Sequence, residues 1–571
     1  MTSPTGNVMI DSILWGGNRW SSNTITYYFS NDFFTWDPAE EDAFRDALQV
    51  WADVANLNFV EVFDEDEATF VEHNVDSDYF GGNVLGAHEV PGPGISQASG
   101  WFNWEAYGSP DGSGYNLNAL QPGGYGFLTY VHEIGHALGL AHPHDTGGGS
   151  PRMPGVTSAF GDYGDNNLNQ GIFTVMSYND GWDMVQDPNG NRVSEFGYAS
   201  GPSAFDIAAI QYLYGANTNH NRGNTTYEIV DEGGWLSIWD AGGTDRIIYN
   251  GMGDVVINLN SATLDNSPTG GGSPSYVRNS GSENYYGGFT IAGDFTGALR
   301  NRGGERGVII ENATGGSGND EITGNRVGNK LTGRDGDDII NGNRGQDTLL
   351  GNKGDDLLKG GGQDDRLIGH GANDTLLGGN GEDTLVGGNG ADTIRGGGHD
   401  DTANGGSGGD RIFGQAGNDL VRGGTGHDTI VGNKGEDKLL GHKGNDVIRG
   451  GGQDDRVIGH SGKDKLIGGN GNDTIKGGGG NDIINGGKGD DVLRGQAGAD
   501  TFVFNSNQPT GDDRIADFEN GTDMIRINGG VDFDDLTINR SGGNTVITWD
   551  NGSITLDGIT GRIDEDDFIF G

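Results

Sequence analysis

The sequence predicts a multidomain chain: an α/β (α+β) domain built around a metal-binding helix, then an all-β parallel β-roll, then a β-rich cap. Three observations predict it. One is the stretch His132-Glu133-Ile134-Gly135-His136-Ala137-Leu138-Gly139-Leu140-Ala141-His142. The second is a nine-residue repeat that runs without a slip from Gly315 to Val503. The third is a change of composition: residues 1–215 mix aromatics with helical and strand periodicities, and most of the 112 glycines come after them. The expected segments are 1–215, a connecting β segment at 216–314, the roll at 315–503 and the cap at 504–571.

In the first segment Ile25-Thr26-Tyr27-Tyr28-Phe29 reads as a strand. Asp37, Pro38 and Glu40 supply a cap, a first-turn proline and a capping-box acid, and Phe44, Ala47, Leu48, Trp51 and Val54 follow on one helical face. Residues 58–63 and 68–71 read as strands. A helix from Tyr125 to Leu138 is expected to bury Leu128, Val131, Ile134 and Leu138. On it His132 and His136, four apart, point the same way and can grip one metal ion. Glu133 stands beside the first ligand, where its carboxylate reaches a water on the metal without ligating it. Gly139 can take the left-handed conformation that ends a helix, so the turned chain can deliver His142 as a third ligand. Three neutral imidazoles leave the fourth position of a tetrahedral Zn²⁺ open. The plain alternative, an amphipathic helix with three solvated histidines, has no use for Gly139 and His142 at that spacing. Ser203 to Asp206 cap a last helix, which stops at Gly215.

Residues 216–314 hold few helix signals. Trp239 to Asp245 and Gly307 to Asn312 look like strand-and-turn elements with carboxylates, and by themselves they read as solvated turns.

The array is twenty-one times nine residues in the pattern G-G-x-G-x-D-x-U-x, with U apolar. Every repeat begins with Gly. The sixth position is Asp320, Asp338, Asp347, Asp356, Asp365, Asp374, Asp383, Asp392, Asp401, Asp410, Asp419, Asp428, Asp437, Asp446, Asp455, Asp464, Asp473, Asp482, Asp491 and Asp500, with Asn329 the one exception. The eighth is aliphatic or Phe except at Ala403. Glycine turns expose backbone carbonyls and the Asp adds a charged oxygen, which makes a hard-oxygen site suited to Ca²⁺. The x-U-x triplet makes a short strand with its apolar residue inside. Two repeats per coil give about ten coils, roughly 50 Å at about 4.8 Å per strand, with at most about 19 ion sites. Without calcium the Asp rows repel and the segment is expected to be disordered. A flexible Gly-Asp linker has no reason to keep period nine. Residues 504–571 regain apolar strand-like segments that cap the open end.

A balance of 83 acidic against 34 basic side chains, net −49, argues against nucleic acid or an anionic membrane as partner and for many bound cations. No cysteine is available for disulfides or thiol chemistry. The first residues lack a basic region followed by an apolar run, so a secreted form is expected to use another export route. No stretch approaches a membrane span.

The zinc motif, Thr174-Val175-Met176-Ser177-Tyr178, the stretch Asp206 to Gly215, the Trp239 to Asp245 turn and the repeats together resemble serralysin, the secreted metzincin with an RTX β-roll. The resemblance covers nearly the whole chain. It implies a secreted zinc endopeptidase hydrolysing extracellular proteins and folded by calcium. His132, His136 and His142 are then zinc ligands, and Glu133 is general base and acid. Met176 forms the methionine turn, and Tyr178 is a movable ligand that stabilises the tetrahedral intermediate. Asp240, Gly242 and Asp245, and Gly243 with Asp245 and Glu311, are then calcium ligands between the domains. The acidic-then-apolar C-terminus resembles a type I secretion signal, so the expected partners are protein substrates and type I secretion machinery, with a monomeric chain and no stable membrane insertion. His144 and Asn179 depart from the family pattern, and the array is unusually long, which suits a stalk or tether. Two competing readings are a non-enzymatic RTX surface or adhesion protein with an inert head, and a calcium-buffering matrix protein.

Overall fold

A computed structural model describes residues 5–81, 84–107, 117–179, 198–230, 234–279, 288–299 and 307–571. The chain forms two compact units, residues 1–318 and 319–571. The first is an α/β unit and the second a parallel β-solenoid with a β-rich end, as the sequence predicts.

In the first unit a short helix α1 (Val8–Asp11) precedes strand β1 (Thr24–Ser30) and helix α2 (Pro38–Val54). Asp37 and Glu40 close the expected capping box on α2, and Phe44, Ala47, Leu48, Trp51 and Val54 are buried. Strands β2 (Asn58–Glu61), β3 (Phe70–Val75), β4 (Gly86–His88) and β5 (Ala98–Asn103) join β1 in the order β2-β1-β3-β5-β4. All neighbours are parallel except β4, an antiparallel edge strand on β5. A short helix α3 (Ser77–Phe80) follows β3.

Helix α4 (Tyr125–Leu138) packs beneath this sheet. Val131, Ile134 and Leu138 are buried as expected, but burial is not confined to that side: from Phe127 to Leu138 only Leu128 is not buried, and Leu128 instead lines a cleft. The reason is that α4 is enclosed: Trp51 of α2 donates its indole N–H to Val131 O at 3.1 Å, and Tyr130 packs edge-on to Phe102 of β5 at 5.1 Å. Helix α5 (Ala204–Tyr214) ends at Gly215, again with a Ser203–Asp206 capping box.

After α5 the first unit contains only short strands among the described residues. Arg246–Tyr249 lies between Thr226–Ile229 and Asn312–Thr314, parallel to both. Trp235–Ile238 pairs in parallel with Gly288–Ile291, and Asp254–Asn258 pairs antiparallel with Ser275–Asn279.

Across the repeats of the second unit each strand pairs in parallel with the strand eighteen residues on, as in Thr348↔Arg366, so two repeats make one coil. Strands are six residues long, as in Ile339–Arg344, rather than the three expected. Pairing at a constant register carries the ladder beyond x-U-x into the glycine turn, as in Asn343↔Gly361 and Arg344↔Gly362. Eighth-position side chains from Ile322 to Phe502, Ala403 among them, form a buried column. Beyond it Thr537–Ser541, Asn544–Trp549 and Gly552–Leu556 form an antiparallel meander, and Phe568–Phe570 pairs in parallel with Met524–Asn528.

Candidate metal centre and calcium ladder

Helix α4 brings His132 and His136 onto one face, with ring centroids 4.8 Å apart. Gly139 ends the helix with φ +110°, and a side chain there would strike Asn18 O. The turned chain is then held by Ala141 N–H donating to Ile13 O at 2.9 Å. That turn delivers His142, whose Nε2 lies 3.2 Å from His132 Nε2 and 3.0 Å from His136 Nε2.

The other ring nitrogens are all engaged. His132 Nδ1 faces Val175 O at 2.7 Å, His136 Nδ1 faces Leu140 O at 3.0 Å, and His142 Nδ1 faces Asp145 Oδ2 at 3.0 Å. A carbonyl only accepts, so the Nδ1 atoms of His132 and His136 carry protons and their Nε2 atoms present lone pairs. Burial holds both rings neutral, pushing His132 down to about 3 and His136 well below the ordinary histidine range. Lone pairs of neutral imidazoles converge, which is the donor set of a Zn²⁺ ion.

Glu133 is buried, and that burial raises its carboxyl to about 7. It forms a wall of a cleft of about 440 Å³ shared with Leu85, Tyr125, Leu128, Val175 and Tyr178. Tyr178 lies over His142 at 4.6 Å and His132 at 5.7 Å between centroids, with 39% of its surface exposed. Phe160 also stacks on Tyr178, at 5.2 Å. Met176 is buried under α4 against Gly135. His144 stacks on His142 at 5.0 Å. Asn179 is buried and donates to Asp162 O and Asn169 O, so it anchors the loop that carries Phe160.

Several residues around this centre escaped sequence reasoning. Asp206 is wholly buried and accepts from Thr174 Oγ1 (2.6 Å), Val175 N (2.7 Å) and Ser203 N (2.9 Å). It therefore ties the methionine turn to α5. In sequence it shows as a capping residue and as the start of the Asp206 to Gly215 stretch, with no sign of its reach to the turn. Phe160 and Asp145 carry no spacing signal at all.

The 240–311 carboxylates all lie in the first unit. Asp240 accepts from Gly242 N at 2.7 Å and from the Tyr227 hydroxyl at 2.7 Å. Asp245 accepts from Thr225 N, and Glu311 accepts from Asp245 N at 2.7 Å. The Asp240 and Asp245 carboxyls also meet each other, and burial raises Asp245 to about 7. Two carboxyls in contact call for a shared proton or a cation. Gly242, at φ +123°, makes the turn, and Gly243 packs on Gly223 O.

In the solenoid every sixth-position Asp from Asp338 to Asp500 plays the same part. Its Oδ1 accepts the backbone N–H of the sixth-position residue one coil earlier, as in Asp356 N to Asp374 Oδ1 at 2.9 Å and Asp392 N to Asp410 Oδ1 at 2.9 Å. Its Oδ2 is buried and has no partner, at every ninth residue from Asp338 to Asp500. A row of orphaned buried carboxylate oxygens, turned toward the first glycine of the repeat and a carbonyl of the next coil, fits Ca²⁺. Burial, with added repulsion from neighbouring carboxylates, raises Asp338, Asp374 and Asp401 to about 8. The ladder does not stop at Val503: Asp491 N donates to Asp513 Oδ1 at 3.0 Å and Asp500 N to Asp523 Oδ1 at 2.9 Å. Their spacings of 22 and 23 residues hide them from a period-nine reading.

Fold and site together define a three-histidine centre that fits Zn²⁺, followed by a repeat whose carboxylate rows fit Ca²⁺. The matrixin family profile matches residues 19–148, and the RTX calcium-binding nonapeptide repeat profile matches successive windows from 314 to 502. These matches imply one catalytic Zn²⁺ and multiple structural Ca²⁺. The chain is similar to serralysins: it is 34% identical over 312 residues to a serralysin of Photorhabdus laumondii, covering 52% of this chain and 55% of that protein. It is 32% identical over 340 residues to metallopeptidase AprA of Pseudomonas marginalis (56% and 61%), and 32% over 338 residues to serralysin B of Dickeya chrysanthemi (54% and 60%). The matched stretch spans little more than half of each relative's length.

Proposed function

We propose that this chain is a zinc-dependent endopeptidase that acts on proteins outside the cell and is folded by calcium. The convergence of three Nε2 lone pairs beside the buried Glu133 carboxylate carries the reading. His132, His136 and His142 hold the metal, which when bound supplies a Lewis acid and lowers the pKa of a coordinated water. Glu133 takes a proton from the attacking water and passes it to the leaving amine nitrogen. The Tyr178 hydroxyl donates to the oxygen where negative charge develops. The cleft lined by Leu85, Tyr125, Leu128 and Val175 accepts an apolar substrate side chain.

Asp240, Gly242, Gly243, Asp245 and Glu311 bind calcium in the connecting segment 216–314, and the Asp rows bind it in the roll at 315–503. Supporting this are the paired carboxyls of Asp240 and Asp245 and the orphaned Oδ2 row. A calcium-poor cytoplasm leaves the rows unneutralised and the chain threadable, which suits type I export as a monomer, with 504–571 acting as cap and signal. The test is hydrolysis of a quenched protein substrate by wild type and Glu133→Ala in millimolar calcium and stoichiometric zinc. Activity lost in the variant supports the enzyme. Silence from both folded, zinc-loaded proteins favours a surface or adhesion protein.

A further inference from the structure

Glu72 of β3 and His88 of β4 belong to different strands, and both pair across to Gly100 of β5 that runs between them. Their side chains meet over that glycine, His88 Nε2 to Glu72 Oε1 at 3.2 Å, and both are completely buried. A side chain at Gly100 would strike Glu72 Oε2 and the His88 ring, so only glycine leaves room for the contact. His88 Nδ1 faces Glu89 O at 2.8 Å. One ring nitrogen thus faces a carbonyl and the other a carboxylate. Nδ1 must donate to the carbonyl, and the Glu72 carboxyl beside Nε2 raises the imidazole above its ordinary range despite burial, which favours His88 as an imidazolium with Glu72 as its counter-ion.

A buried ion pair is expensive and does not stabilise a fold by itself. Its place in the fold supplies a reason for it. His88 sits on the edge strand that packs against α4. Two residues earlier, a β-carbon on Gly86 would lie 2.9 Å from Glu133 Cγ. Strand β4 is an edge held by one neighbour, so nothing in the ladder alone stops it from lifting off α4.

We propose that Glu72 and His88 are a positioning pair for Glu133: bridging Gly100, they hold the edge strand on α4 so that Gly86 packs against the Glu133 side chain and fixes where its carboxylate lies. The inference rests on the reading of Glu133 as the proton carrier.

The test uses the full chain loaded with zinc and calcium. His88→Ala and Gly100→Ala should each lower kcat about tenfold or more while KM stays within about twofold and zinc content stays stoichiometric. His88→Gln, which keeps a donor toward Glu72, should recover part of the loss. A lowered Tm with unchanged kcat would mean a purely structural role and overturn the proposal. Ring ¹⁵N NMR of histidine-labelled protein should show His88 protonated on both nitrogens in wild type and on one in Glu72→Gln. A singly protonated His88 in an active wild type overturns the pair alone. A doubly protonated His88 in a wild type that hydrolyses nothing overturns the endopeptidase reading and the positioning role with it, leaving only an ion pair.

Discussion

Gly135 and Met176 pack so closely that a β-carbon on Gly135 would lie 2.8 Å from Met176 Sδ, and 3.2 Å from the Trp51 ring. The glycine inside the histidine motif is therefore a packing requirement of the methionine turn, not of the metal. Gly135→Ala should raise helix propensity yet destabilise the first unit by about 1–3 kcal/mol through overpacking. Its zinc affinity should fall too, because Val175 O, which orients His132, moves with Met176. Thermal unfolding and a competitive zinc titration would show it. A stabilised variant would contradict the packing account.

Asp206 sets a pH dependence of stability. Burial raises its carboxyl to about 7, against about 3.9 in an unfolded chain. The folded state thus binds the extra proton between these values. Its contribution is present in acid and is lost as pH rises through about 7. Asp206→Asn should flatten that slope between pH 5 and 8 while keeping the three hydrogen bonds by turning its amide toward Thr174. Asp206→Ala should cost about 1–3 kcal/mol for each donor left unpaired. Tm measured across that range for both variants decides the matter.

Tyr178 is held by ring contacts with His132, His142, His144 and Phe160, so removing its hydroxyl should not disturb the centre. Tyr178→Phe is expected to bind zinc as wild type does and to keep KM. Its kcat should fall about 10²-fold, as for loss of one oxyanion donor. An unchanged kcat would remove Tyr178 from the chemistry.

The Asp ladder makes the roll respond to protons as well as to calcium. With metal removed, carboxyls raised to between 6 and 8 favour the protonated folded roll, so circular dichroism in EDTA should show structure gained as pH falls from 8 to 5. With calcium present the sign reverses, because protons compete for the same oxygens. Asp410→Ala removes the acceptor for Asp392 N and one orphaned Oδ2. It should raise the calcium midpoint of folding several-fold. A midpoint equal to wild type would show that the mid-roll rows are not ion sites.

Local patterns were legible in the sequence. The spacing of His132, His136, Gly139 and His142 encodes one helix turn, one left-handed cap and three converging nitrogens, because α-helical geometry is fixed over so few residues. Period nine encodes the coil, since each repeat sees only its neighbours. What the sequence could not show are contacts whose geometry is not local. Asp513 and Asp523 extend the ladder from outside the period. Leu128 turns to the cleft because the sheet and α2 surround the rest of α4. Asp206 reaches the methionine turn from α5. Glu72, Gly100 and His88 meet only when three strands are laid side by side. The sequence by itself determined which residues can ligate and in what repeat. The tertiary structure alone decided which buried charges face them, because cross-strand register is set by the packing of the whole sheet and leaves no spacing to read.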